Sequence, residues 1–195
     1  MPILGVTASS ISGHLIAPDT GVMFPIGMVQ VGSSGAADVT FSSIPSTYTH
    51  LQIRGIMRNT RTADRVGSCD MQFNSDTASN YSFHRLYGEG SGSGGSDSGT
   101  SQTFIRGLGV ATDLNTAGIF GVGIIDILDY ANTNKYKTIR RLDGIDNNRT
   151  SDAGNIGLSS GSWRNTNAIT SIKLFPNVNN WSQGTTFALY GIKGE

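Results

Sequence analysis

Short runs of alternating apolar and polar residues recur along most of this chain, each closed by turn-forming residues, and no stretch offers a long amphipathic helix. Within Tyr48–Arg58, Leu51, Ile53 and Met57 face one way while Gln52, Arg54 and Arg58 face the other. Within Ser68–Asn74, Cys69, Met71 and Phe73 alternate with Asp70, Gln72 and Asn74. A two-residue period marks half-buried antiparallel strands, because successive side chains leave a pleated backbone on opposite faces. Further strands are predicted over Ile26–Val31, Ala37–Ser42, Tyr81–Tyr87, Gln102–Ala111, Ile119–Tyr130, Tyr136–Leu142, Asn155–Trp163, Ile169–Phe175 and Thr185–Ile192. Between them lie GSSGA, IPST, NSDTASN, ANTNK and NVNNWSQG, the Gly, Asn, Asp, Ser and Pro chemistry of β-connections. Many strands at this spacing predict an all-β fold, an antiparallel β-sandwich of jelly-roll type.

The chain has 195 residues, which suits one large β domain. Its 14 basic and 14 acidic residues cancel, so nothing in the balance points to nucleic acid or a membrane surface. Charged residues make up only 14% of the chain, well under the usual quarter. That suits surfaces meant to be covered by partners, since charge is costly to desolvate. One cysteine, Cys69, excludes an intrachain disulfide and a cysteine-based zinc site. The first residues lack the basic and apolar regions of a secretory leader, and we expect synthesis in a cytoplasm.

The sequence divides at Pro25. Met1–Pro25 is punctuated by Gly, Ser and Pro and holds no helical or strand period, yet it is not poor in apolar residues. We read it as an extended docking arm whose apolar contacts are Ile3, Leu4, Val6, Ile11, Leu15, Ile16, Met23 and Phe24. Residues 26–195 form the predicted β domain. The final run, TTFALYGIKGE, predicts a C-terminal strand pinned into a sheet. Gly88–Ser101, GEGSGSGGSDSGTS, reads as a flexible loop by composition.

No catalytic set emerges. His14, His50 and His84 lack a presented nucleophile such as the G-x-S-x-G elbow. Asp126 and Asp129 are three apart, which puts them on opposite faces of a strand; Asp126 is expected to face the core side and pair with an arginine of Arg140–Arg141. Asp143–Asn155 is rich in oxygen ligands but does not match the EF-hand pattern. Trp163 and Trp181 are read as core or interface packing. We expect a non-enzymatic protein with no cofactor and no bound metal.

Four stretches carry a resemblance: VTFSSIPSTYTHLQIRG (Val39–Gly55), FNSDTASNYSFHRLYG (Phe73–Gly88), IIDILDYANTNKYKTIR (Ile124–Arg140) and FALYGIKG (Phe187–Gly194). Together they resemble a group of tailed-bacteriophage virion proteins that includes capsid decoration (cement) proteins and tail-fibre proteins. The resemblance implies a virion component with a trimeric β-sandwich. The expected partner is a major capsid protein, stabilised where the arm crosses subunit joints. The alternative is a tail or baseplate protein, with the loops at Gly88–Ser101 and Asp143–Asn155 touching a host glycan.

Overall fold

The computed structural model describes residues 22–90, 92, 94–149 and 154–194. Ile3, Leu4, Val6, Ile11, Leu15 and Ile16 of the expected arm lie outside the described residues. The described residues form twelve strands and no helix: β1 (Met23–Gln30), β2 (Val39–Phe41), β3 (His50–Asn59), β4 (Val66–Phe73), β5 (Tyr81–Glu89), β6 (Gly94–Gln102), β7 (Ile105–Thr112), β8 (Gly121–Leu128), β9 (Lys137–Ile145), β10 (Asn155–Trp163), β11 (Ile172–Pro176) and β12 (Thr186–Ile192). The all-β class is the one that the alternation predicts.

The strands join one mixed sheet in two arms. A long arm runs β1-β12-β3-β8-β9-β10-β5-β6, and a short arm runs β2-β11-β4-β7. They meet where β3 and β7 pair in parallel, at Arg58↔Ala111 and Asn59↔Thr112. Every other pairing among the described strands is antiparallel. The short arm then lies over the inner face of the long one. Ile105 of β7 abuts Gly161 of β10, and Gly107 and Gly109 of β7 abut Arg141 and Asp143 of β9. Between the layers sits one apolar cluster, with Leu51, Ile53, Ile125, Phe187 and Leu189 from the long arm and Met71, Phe73, Ile172 and Leu174 from the short. Both tryptophans belong to it: Trp163 packs on Phe73 and Tyr81, and Trp181 meets Phe187 edge-on at 5.2 Å.

The C-terminal run is a strand, as its composition predicts. β12 lies between β1 and β3, with Phe187 and Leu189 fully buried. The first strand begins earlier than expected, at Met23 and not at Ile26. Met23 and Phe24, expected in the arm, belong to β1, where Met23 pairs with Ile192 and Phe24 with Gly191. Phe24 also stacks on Tyr48 at 5.8 Å. Pro25 hid this strand from sequence reading, because proline breaks a ladder except at an edge or a bulge. Here it occupies both: β1 is an edge strand with an irregular register between Pro25 and Gly27.

The Gly/Ser tract also departs from expectation. It is not a loop throughout, because Gly94–Gln102 forms β6, paired along β5. Its glycines supply space. Gly95 lies opposite Tyr87 and Gly99 opposite Phe83; a Cβ at Gly95 would stand 2.6 Å from the Tyr87 hydroxyl, and one at Gly99 would stand 2.6 Å from Phe83 Cε1. Asp97, between them on the same face, pairs with Arg85 at 3.3 Å. The tract carries no apolar alternation because the partner strand supplies all the apolar mass. Gly99→Val is therefore expected to destabilise by about 1–3 kcal/mol through overpacking. Ser98→Val, on the exposed face, should stay within about 0.5 kcal/mol. Urea unfolding of the two variants measures the difference, and equal effects would mean that the tract is not seated as a strand.

Candidate functional site: the open face of the long sheet

One face of the long arm is closed by the short arm; the other is open. Cross-strand register organises the open face into rows. Ile124, Leu142, Leu158 and Leu86 stand directly opposite one another from β8 through β9 and β10 to β5. The same row continues the other way through Arg54 and Ala188 to Met28 on β1. The adjacent row holds Ile56, Val122 and Ile156, with Gly144 between the last two. These side chains are solvent-exposed: 62% for Leu86 and Ile156, 51% for Leu142 and 71% for Met28. Directly opposed aliphatic pairs of this kind are how strands pack a covered face.

A polar row borders the belt. Arg54 Nε donates to Gln52 Oε1 at 3.0 Å, Gln52 Nε2 donates to Asp126 Oδ1 at 2.9 Å, and Arg140 donates to Asp126 Oδ2 at 2.7 Å. The expected Asp126 ion pair thus forms with Arg140, on the open face and not toward the core. Farther along the same row, Ser160 and His84 face outward. Where belt and polar row meet over β5, β6, β9 and β10, they leave a shallow groove of about 730 Å³. Its lining includes His84, Leu86, Ser98, Arg140, Leu158 and Ser160.

The inner face of the same strands carries a second cluster that the sequence reading missed. β9 turns Lys137, Ile139, Arg141, Asp143 and Ile145 inward, all buried. Lys137 Nζ donates to three carbonyls, those of Asn132, Lys135 and Thr166. Arg141 has no exposed surface; its Nε donates to Ser159 Oγ at 3.1 Å, while its two terminal nitrogens have no hydrogen-bond partner among the described residues. Asp143 Oδ2 accepts the Gly109 amide at 2.8 Å, and Asp70 of β4 accepts the Ser68 hydroxyl at 2.6 Å. Burial lowers the Arg141 pKa to about 10, against the pull of the neighbouring Asp70 and Asp143 charges. Burial likewise raises Asp143 from 3.8 to about 6 and raises Asp70. Cys69 is buried beside them, and burial followed by the Asp70 charge raises its thiol far above the ordinary range.

A signal for this cluster exists in the sequence. In KTIRRLDGI a strand must send one of two adjacent arginines inward, and the period places Arg141 with Ile139 and Asp143. In IRGLGVAT the same period aligns Gly107 and Gly109, the space that those side chains need. The expected half-burial of β4 is also revised: Asp70 is 1% exposed and accepts the Gly107 amide where the register of β4 and β7 shifts between Cys69 and Met71.

The described residues of the oxygen-rich stretch Asp143–Asn155 divide between the interior and a turn. β9 extends through Ile145 and takes Asp143 into the interior. Asp146 accepts the Asn148 amide, and Asn147 accepts the Gly154 amide, as turn residues do. Among the described residues no group of three or more His, Cys, Asp or Glu side chains is placed to hold a metal ion. His50 Nδ1 accepts the Asp129 amide at 3.0 Å at a strand end. Of the described histidines, His84 is the one that faces the groove.

Asp143 sets an expected pH dependence. An acid with a raised folded-state pKa stabilises the fold fully below its unfolded value, and that contribution is lost as pH rises through the folded value. Stability should therefore decline between about pH 4 and 7, and Asp143→Asn should flatten part of the slope, leaving the part due to Asp70. Melting temperatures across that range check this; a parallel slope in the variant would contradict it. No protein-family model, curated protein or solved structure matches this chain, so the functional reading rests on the chemistry of its surfaces.

Proposed function

We propose that this chain is a non-enzymatic structural subunit of a tailed-phage virion, a capsid decoration or cement protein. The observation that carries the reading is the open aliphatic face of the long sheet. A single chain with one sheet face sealed by its own layer, and the other lined by Leu86, Leu142, Ile156 and Leu158, is built to be covered. The low charge content and the four-stretch resemblance point the same way. We read the two layers as a jelly-roll-like sandwich, grouped as trimers on the shell, and residues 1–21 as the arm that reaches the major capsid protein. Such a subunit stabilises a head by adding buried area across subunit joints. β1 supports this division of labour. It fixes Met23–Gln30 to β12 at the rim of the long sheet, so the preceding residues join the body at an edge.

A second reading, a tail-fibre or baseplate adhesin, is favoured by the groove beside the belt. Its serine hydroxyls, His84 and Arg140 offer hydrogen bonds to a saccharide above an aliphatic floor. Immunogold labelling of intact particles carrying this chain separates the two. Gold spread over the head is expected; gold confined to the tail would favour the adhesin, and unlabelled particles would end both readings.

The arm gives a further expected outcome. Deleting residues 1–21 should leave the melting temperature within a few degrees of the full chain, because β1 is kept whole. The same deletion should abolish attachment to heads in a pelleting assay. Attachment that survives the deletion would remove the arm from the mechanism.

A further inference from the structure

We infer that the aliphatic belt on the open face of the long sheet is covered by a second copy of this chain. The inference rests on the assembly reading above and names the occupant of that face. Area is the first argument. The seven aliphatic side chains of the two rows, with Met28, present on the order of 700 Å². A standard interface buries ~800 Å² per partner, whereas the largest apolar patch on an ordinary monomer is ~300–600 Å². The belt therefore matches what a stable pairing of copies needs.

Charge is the second argument. A heterologous partner selected electrostatically needs a charged face to recognise. Here little of the bordering charge is free: Arg140 is paired with Asp126, and Arg54, held by the neutral Gln52 and lying 5.6 Å from the centre of the Tyr190 ring, is the one unbalanced charge of the row. Each face offers the other an apolar surface of the same kind. Sheet faces pack ~10 Å apart with their side chains interdigitated, and rows of leucine and isoleucine in register supply the ridges for that contact. Gly144, between Val122 and Ile156, leaves a gap in the second row that can receive a side chain of the facing copy.

The test is the mass of the purified full chain in solution, by light scattering on a sizing column at tens of micromolar. A face that packs on its own copy closes about a two-fold axis, so twice the 20.6 kDa chain mass is expected, and trimers on the shell would form through a separate contact. The double variant Leu142→Arg/Leu158→Arg should fall to the single-chain mass, its self-dissociation constant raised at least ~100-fold by the buried charges. Both positions are about half exposed, so the variant should keep its far-ultraviolet spectrum and cooperative melting. Leu142→Ser/Leu158→Ser, which adds no charge, should weaken association without abolishing folding, and it substitutes if the arginine variant does not fold. A single-chain mass for the unaltered protein, or variants that fold and keep its mass, would overturn the inference. Because the readout is the purified protein, a failure here leaves the particle-labelling result to judge the virion reading separately.

Discussion

The structure depends on a charged strand that meets a nearly bare one. β9 places Arg141 and Asp143 between the layers, and β7 answers with Gly107 and Gly109. A Cβ at Gly107 would stand 1.8 Å from the Arg141 guanidinium carbon, so no larger residue fits without displacing a fully buried cation. This contact fixes how closely the short arm can lie on the long one, and the apolar cluster on either side is packed to that spacing. Buried charge is a poor source of net stability but a strong source of specificity when its removal strands a partner. Arg58 provides the contrast: it reaches Asp113 at 2.7 Å and three backbone carbonyls, and so ties down the loop 113–119.

The strand runs were legible wherever one face was apolar and the other polar. β3, β5 and β12 fall close to the positions their alternation predicts, because a half-buried strand writes its environment into its sequence. The misplaced features share one cause: the local pattern depended on a neighbour. β6 has no apolar side chains because β5 lends it Tyr87 and Phe83. The start of β1 was misplaced because proline is tolerated at an edge with a bulge, which only the pairing with β12 reveals. Arg140 and Arg141 are adjacent in the sequence, and the strand period that turns Ile139 inward takes Arg141 to the interior and leaves Arg140 on the open face.

The open belt was visible in the same way, as an excess. β8 reads GVGIIDIL, with aliphatic residues on both faces of a strand that its own chain covers on one side only, and β10 puts Ile156 and Leu158 on the open face. Near-continuous apolar runs belong to strands buried on both faces. The chain itself covers one of these two apolar faces. The interior cluster and the exterior belt sit back to back on β9, Arg141 beneath and Leu142 above, so this strand organises both the fold and the surface it presents.

The seating of β6 has a consequence for how this gene can drift. Along Gly94–Gln102 the side toward Tyr87 and Phe83 tolerates only hydrogen at two places, while the outward side is free to vary. Gain or loss of a single codon in the tract would exchange the two sides, because strand faces alternate with every residue. Point changes among the outward serines should accumulate quietly, whereas odd-numbered insertions should be purged, giving a repetitive-looking segment an unexpectedly rigid length.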